Sequence, residues 1–431
     1  MIAKLKKSRL TGEVWIPGSK SHMIRALYFG ALGQGKSIIR NPVRSKDSLS
    51  AANLVKALGV EIDMTRGDYW IVKGGPFSLP EDVIDVGNSG TSMYMGSSLL
   101  ASLSGWSCVT GDEQIRRRPI KPLLDAHKML GADVFTLRDN GSAPFVIRGP
   151  LKGGKTFVDG LISQYVSSVI LAASLAEKDT EIVVDRANEV PYIEMTLQWM
   201  RSLGVEVEES DNYNRFFVRA GQKYSVFDKP VPSDFSSAAF MLIGAAITES
   251  EVTLQGLDTG DVQGDKVLID ILQDMGADID VHEMGKKGIV VKGGVPLKGR
   301  TIDCSVTPDS VPILSVLGCY ADGETRLLNI ESSRHKETDR PLLMQKELRK
   351  LGADIELTKD ELIIRHSKLK GAEVQSYKDH RIVMALCIAG LIAEGETVVP
   401  HIESATISYP GFDTSLKSLG ALVEYAETDN A

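Results

Sequence analysis

Six times along this chain, an amphipathic stretch ends in Leu-Gly or Met-Gly, followed by Ala or Val and then an alternating strand pattern. The phrases are Leu58-Gly59-Val60, Leu130-Gly131-Ala132, Leu203-Gly204-Val205, Met275-Gly276-Ala277, Leu351-Gly352-Ala353 and Leu419-Gly420-Ala421. The glycines lie 72, 73, 72, 76 and 68 residues apart, a near-constant period that marks one supersecondary unit used repeatedly. Glycine suits the end of a helix, where the backbone turns left-handed and a Cβ would be strained. The segments that follow alternate as half-buried strands do, for example Asp354-Ile355-Glu356-Leu357 and Glu206-Val207-Glu208. Each unit also carries an apolar helix rich in small residues, as over 25–32, 167–175, 236–246 and 382–393. Such helices pack closely inside a domain.

A chain of 431 residues exceeds one ordinary core, and six units divide naturally into two groups of three. The proline-rich stretch Asp228-Lys229-Pro230-Val231-Pro232 predicts one crossing between domains, and Ile16-Pro17-Gly18 a second. The expected organisation is an N-terminal domain over 17–229 and a C-terminal domain of 1–16 plus 230–426. Composition is that of a globular protein, 43% hydrophobic and 25% charged, with disorder expected only in the polar tail 427–431. The longest apolar stretch, 382–393, is too short to span a bilayer. No apolar run follows the basic residues near Met1, so no signal peptide is expected. Cys108, Cys304, Cys319 and Cys387 are far apart and read as buried thiols of a reducing, cytoplasmic compartment, with no metal site. A net charge of −8 argues against nucleic-acid binding. Nothing in the chain demands more than a monomer. It contains no Walker loop, no Rossmann glycine pattern and no metal-ligand spacing; the glycines of 285–294 read as a hairpin turn.

The cationic residues concentrate just before the apolar helices, where unpaired N–H groups and a partial positive charge favour anions. Ser19-Lys20-Ser21 opens the helix carrying Arg25, and Ser21 and Arg25 share a face. Gly87-Asn88-Ser89-Gly90-Thr91 is a turn of the kind that forms a backbone nest for phosphate or carboxylate, although such turns are common. Arg116-Arg117-Arg118-Pro119 puts an arginine on a turn before the helix around Leu123, and reads equally well as a solvated basic run. The run 334–340 sets Lys336, Glu337 and Arg340 on one helical side, where a carboxylate flanked by cations suits proton transfer. A salt-bridged structural helix is the alternative. Asp379-His380-Arg381 precedes a very apolar helix, so its charges belong at the mouth. Arginines at several mouths point to a small ligand with more than one anionic group.

In order along the chain, the following motifs resemble those of the 5-enolpyruvylshikimate-3-phosphate synthase family: Pro17-Gly18-Ser19-Lys20-Ser21 with Arg25, Gly87-Asn88-Ser89-Gly90-Thr91, Gly111-Asp112 with Arg118-Pro119, Ser163-Gln164, Pro191-Tyr192, Asp234-Phe235-Ser236-Ser237-Ala238, Pro308-Asp309, Lys336-Glu337-Thr338-Asp339-Arg340 and Asp379-His380-Arg381. The resemblance covers essentially the whole chain. It implies an α/β (α+β) two-domain enolpyruvyl transferase fold of six βαβαββ units, three per domain, closing on substrates held in the interdomain cleft. Closure on binding is also expected if the cleft is full of like charges. The implied activity is transfer of a carboxyvinyl group from phosphoenolpyruvate to shikimate 3-phosphate or a related cyclohexene acceptor, in aromatic amino acid biosynthesis, without cofactor or metal.

Carried over by motif, the resemblance gives Lys20, Arg118 and Gln164 to the phosphate of phosphoenolpyruvate, and Arg340 and Arg381 to its carboxylate. Ser21, Arg25, Asp309 and Lys336 would hold the acceptor, and Tyr192 would line its phosphate pocket. Asn88, Gly90, Ser163 and His380 belong to the same substrate-binding motifs. Lys20, Asp309 and Glu337 are the implied catalytic residues, the two carboxylates moving protons. Four positions depart from the family pattern: Tyr94 stands for an arginine, Ile407 for a lysine, and Ile162 and Glu189 for serines. They leave open an acceptor that is modified or unphosphorylated, an elimination without phosphoenolpyruvate, and a non-catalytic ligand-binding homologue.

Overall fold

A complete repeat begins with a strand that leads into an apolar helix. A second strand lies parallel to the first, an amphipathic helix follows, and two further strands complete the sheet. The second repeat shows the pattern in full: strand Ile84–Asp85, helix Gly90–Leu100, strand Ser107–Thr110, helix Lys121–Met129 and strands Asp133–Thr136 and Phe145–Arg148. Ile84 pairs in parallel with Val109, Val109 pairs antiparallel with Phe145, and Val134 with Ile147. The sheet order is thus first, second, fourth, third, and the other four four-stranded sheets keep it, with a strand from a chain crossing taking the first place in two of them.

The chain, seen here as a computed structural model describing residues 1–282 and 288–427, forms two units of three repeats. One is Gly18–Val231, the other Met1–Pro17 with the chain from Pro232 onward. Each unit completes its first sheet with a strand from a chain crossing. Asp228–Pro230 lies parallel to Gly35–Arg40, and Thr11–Trp15 lies parallel to Glu251–Gln255. The boundary therefore follows Val231 rather than Lys229: the strand is still pairing there, and the Val231 N–H donates to the Arg40 carbonyl. Ile2–Lys6 is inserted between Glu396–Pro400 and Val423–Ala426 as the central strand of a three-stranded sheet. Strands Asp278–Val281 and Ile289–Lys292 pair antiparallel. Most of the turn joining them, expected within 285–294, and the tail after residue 427 lie outside the described residues.

The two helix classes differ in what surrounds them. Every residue of Gly90–Leu100 and of Phe235–Ile247 is buried, whereas Lys121–Met129 buries only Leu123, Leu124, Ala126 and His127. The wholly apolar helices form the centre of each unit: Gly90–Leu100 packs on Ser163–Ser174, and Val311–Tyr320 packs on both Phe235–Ile247 and His380–Gly390. Cys304, Cys319 and Cys387 are free and buried, and burial pushes their thiols up, that of Cys319 to about 12. None of the described helices is long and apolar enough to cross a membrane.

The repeated glycines are the stop signals of the amphipathic helices. Gly59, Gly131, Gly204, Gly276, Gly352 and Gly420 all have φ between 82° and 103°. In each case the next residue's N–H reaches back to a carbonyl five positions earlier, from Val60 to Val55 in the first repeat and from Ala421 to Leu416 in the last. This is the Schellman closure, which needs a left-handed residue at its centre. At Gly352 an added Cβ would meet no atom within 4 Å, so substitution there tests backbone conformation alone. Gly352→Ala is expected to cost about 1–2 kcal/mol, read as a lower urea midpoint with an unchanged slope.

Candidate functional site

Three buried helices of the unit Gly18–Val231 begin in polar clusters. The first, Lys20–Leu32, is capped by Ser19, which accepts from the His22 N–H at 3.5 Å. The Lys20 ammonium lies 3.1 Å from Asp47 Oδ2, both side chains being largely buried. One turn on, Arg25 is only 1% exposed. It donates to Thr196 Oγ1 and to the carbonyls of Tyr192 and Ser21 at 2.9, 2.9 and 3.0 Å. Burial lowers its pKa to about 10. Tyr192 stands in the first turn of helix Val190–Ser202, so Arg25 ties two helix starts together.

The turn read as a nest is the start of the second helix, Gly90–Leu100, with Ser89 accepting from the Ser92 N–H at 3.3 Å. The Asn88 amide donates to Asp112 Oδ2 at 2.6 Å and to Gln114 Oε1 at 2.8 Å. Arg118 alone of the three consecutive arginines is buried. Its guanidinium lies directly on Gly90, where a Cβ would come within 2.4 Å of Nη1; any other residue at position 90 would displace it. Beneath Arg118, 5.8 Å from its Cζ, is the ring of Tyr94. Tyr94 and Tyr165 both donate to the Pro119 carbonyl, at 3.1 and 2.6 Å, with their rings T-shaped at 5.1 Å. Tyr94 is therefore a packed floor under the arginine.

At the third helix, Ser163–Ser174, the N-cap position is Ile162, which supplies no side-chain cap. Glu189 does so from outside. It is 1% exposed with φ 52°, and its Oε2 accepts from the Ser163 N–H at 3.3 Å and from the Ser163 hydroxyl. Gln164 donates to Thr91 Oγ1 at 3.0 Å, joining the third helix start to the second.

In the other unit the charges gather on Arg340, again 1% exposed. It donates to Asp379 Oδ2 at 3.0 Å, to Asp309 Oδ1 at 2.8 Å and to Glu337 Oε2. Burial alone would lower the Arg340 pKa, but Asp379, Glu337 and Asp309 outweigh it and hold the group above its ordinary value. Asp309 also accepts from Arg381 at 3.1 Å and lies 3.9 Å from the Lys336 ammonium. Asp379 caps helix His380–Gly390 through the Arg381 N–H at 2.9 Å, which puts His380 in the first turn. Ile407 ends the short 3₁₀ segment Ile402–Ile407 and is buried.

Two expectations are corrected here. Lys336 and Glu337 do not share a helical side with Arg340: they lie in a bend between Glu331–Arg334 and Arg340–Lys350. Asp339 starts the second helix by accepting from the Leu342 N–H at 3.2 Å, and Pro341 follows at its second position. Nor does this unit present an excess of like charge. Lys336, Arg340 and Arg381 are interleaved with Asp309, Glu337 and Asp379. Glu337, Asp379 and His380 bring ligand-type atoms within 4.8 Å of one another, but the Arg340 guanidinium on both carboxylates opposes a metal ion there.

Sequence reasoning missed two buried carboxylates that organise the clusters. Asp47 holds Lys20. Asp265 accepts from Ser310 Oγ at 2.7 Å, from Thr307 and from Ser236, and so locks the turn bearing Asp309 to the start of helix Phe235–Ile247. Both stand near the start of an amphipathic helix, where an acidic residue reads simply as dipole complementation.

The family model described as EPSP synthase (3-phosphoshikimate 1-carboxyvinyltransferase) matches residues 5–416. Proteins named 3-phosphoshikimate 1-carboxyvinyltransferase in Acetivibrio thermocellus and Ruminiclostridium cellulolyticum are each 47% identical to the chain, over 99% and 98% of its length and 100% of their own. One from Methanocaldococcus jannaschii is 40% identical over 97% of the chain and 98% of its own length. A solved EPSP synthase from Acinetobacter baumannii is similar with a TM-score of 0.83 at 28% identity, covering 99% of both chains.

Removing Arg340 would leave three carboxylates around an apolar stub. Arg340→Met is expected to cost about 3–5 kcal/mol, lowering the melting temperature by roughly 10 °C for a unit of this size, as differential scanning calorimetry would show.

Proposed function

The chain belongs to the EPSP synthase (3-phosphoshikimate 1-carboxyvinyltransferase) family, and from that premise we propose that it transfers the carboxyvinyl group of phosphoenolpyruvate to 3-phosphoshikimate with release of phosphate. The observation that supports this most is the arginine–carboxylate cluster of Arg340, Arg381, Asp309 and Glu337 beside the start of the buried helix His380–Gly390. It combines bidentate carboxylate binders with groups able to accept and return protons.

In this reading Arg340 and Arg381 grip the carboxylate of phosphoenolpyruvate, while Lys20, Arg118 and Gln164 hold its phosphate. Ser21, Arg25, Lys336 and Asp309 orient the acceptor ring, with Tyr192 beside its phosphate. Asn88, Gly90, Ser163 and His380 complete the binding surfaces. The acceptor hydroxyl oxygen bonds to C2 and gives its proton to Asp309, which lies 3.9 Å from the Lys336 ammonium, as Glu337 in its protonated form gives a proton to C3. The C2–O bond to phosphate then breaks as a C3 proton returns to Glu337, and the proton held by Asp309 leaves with the phosphate. Cations around the phosphate stabilise the charge it carries away. On this reading the reaction needs no metal or cofactor.

One observation favours a second reading, an acceptor without the phosphate. The Glu189 carboxylate already occupies the N–H and hydroxyl of Ser163, donors of the kind that bind phosphate at a helix start. Purified protein supplied with phosphoenolpyruvate and either 3-phosphoshikimate or shikimate separates the two, by phosphate release and by product mass raised by a carboxyvinyl group. Turnover with 3-phosphoshikimate is expected. Turnover with shikimate alone would establish the second reading, and turnover with neither would overturn both. On the first reading Glu189→Ser should lower KM for 3-phosphoshikimate by about tenfold, equivalent to about 1.4 kcal/mol, with a smaller effect on KM for phosphoenolpyruvate.

A further inference from the structure

Two consecutive non-glycine residues immediately before Asp379-His380-Arg381 adopt the left-handed backbone: Tyr377 at φ 54° and Lys378 at φ 57°. Neither side chain favours that region, and such residues persist only where surrounding contacts over-determine them. What holds them is a carboxylate outside the cluster described above. Glu347 is fully buried. Its Oε1 accepts from the Tyr377 hydroxyl at 2.6 Å, and its Oε2 accepts from the Gln375 N–H at 2.8 Å and from Lys350 Nζ at 2.6 Å. The Lys346 ammonium sits 5.6 Å over the Tyr377 ring.

Glu347 lies on the same helix as Arg340, about two turns further along. That helix therefore grips the segment 375–379 at two points: through Arg340 on Asp379 at 3.0 Å, and through Glu347 on Gln375 and Tyr377. Between them the two left-handed residues turn the chain so that the Asp379 carboxylate both caps helix His380–Gly390 and binds Arg340. We infer that Glu347 is a positioning residue, which holds the Tyr377–Lys378 turn in its left-handed form and thereby sets the Asp379–Arg340–Arg381 geometry without touching substrate. The kinetic consequence rests on the reaction proposed above; the structural consequence does not.

The test uses Glu347→Gln and Tyr377→Phe in the full chain. Backbone amide exchange by NMR reads the cap directly: the Arg381 and Ile382 N–H groups should exchange about tenfold faster than in the parent protein, with the remainder of the helix unchanged. In the carboxyvinyl transfer assay kcat should fall at least tenfold, and KM for phosphoenolpyruvate should rise. Lys378→Gly combined with Glu347→Gln supplies the rescue, because glycine adopts the left-handed backbone without strain; it should recover most of the lost kcat and of the amide protection. Unchanged exchange at 381–382, or lower melting temperature with kcat intact, would reduce Glu347 to a structural role and overturn the inference, as would a double variant no better than Glu347→Gln. Absence of turnover in the parent protein would reject the proposed reaction and leave the exchange measurement to decide the positioning role.

Discussion

A helix buried on every side can meet polar chemistry only at its ends, and each unit of this protein is organised around such helices. Phe235–Ile247 and Gly90–Leu100 have no exposed face at all. Their first turns still carry unpaired N–H groups, which burial makes costly to leave unsatisfied. Ser19, Ser89, Asp379 and, from a neighbouring segment, Glu189 meet that demand. Lys20, Arg118, Arg340 and Arg381 sit beside these starts because the apolar helix bodies exclude charge elsewhere. The sites are thus a consequence of the repeat: each repeat that buries one helix completely creates one polar helix start.

Buried cations need partners before any ligand arrives. Arg340 has three carboxylates and Lys20 has Asp47, whereas Arg25 is satisfied by a hydroxyl and two carbonyls. That difference shows in their pKa values: burial prevails at Arg25 and lowers it, while three anions prevail at Arg340 and raise it. On the proposed reaction, a substrate carboxylate approaching Arg340 and Arg381 would not meet bare positive charge. It would exchange with Asp309 or Glu337, freeing a carboxylate oxygen beside the substrate. Binding and the readiness of a proton acceptor would then be one event.

Much of this was legible in the residues. The six Leu-Gly or Met-Gly phrases announced the repeat count, because only a left-handed residue can close the helix end they mark, and all six glycines have that backbone. The family motifs pointed to Arg118, Arg340 and Arg381, all of which are buried in polar clusters. Spacing alone failed at Lys336 and Glu337, since helical periodicity does not reveal that Asp339 starts a new helix and leaves them in a bend. Asp47, Asp265 and Glu347 were invisible for a different reason. Each acts through a partner distant in sequence, such as Ser310 or Tyr377, and an acidic residue on an amphipathic helix gives no sign of having one.

Glu189 and Asp379 place a carboxylate on equivalent helix starts, in the third repeat of each unit, with opposite consequences for an incoming anion. Asp379 caps from its own helix and spends its other oxygen on Arg340 and Thr338, so its charge supports the cation a ligand would seek. Glu189 caps from the next helix and rests on a peptide N–H and a hydroxyl, donors that a phosphate could also use. Two like charges 4 Å apart repel by about 4 kcal/mol at an effective dielectric near 20, more than the roughly 1 kcal/mol net returned by each neutral hydrogen bond. A phosphate and the Glu189 carboxylate therefore cannot share Ser163. Either the glutamate swings out, releasing its left-handed backbone, or the acceptor brings no phosphate to that helix. The departure at position 189 thus bears directly on which acceptor the scaffold takes.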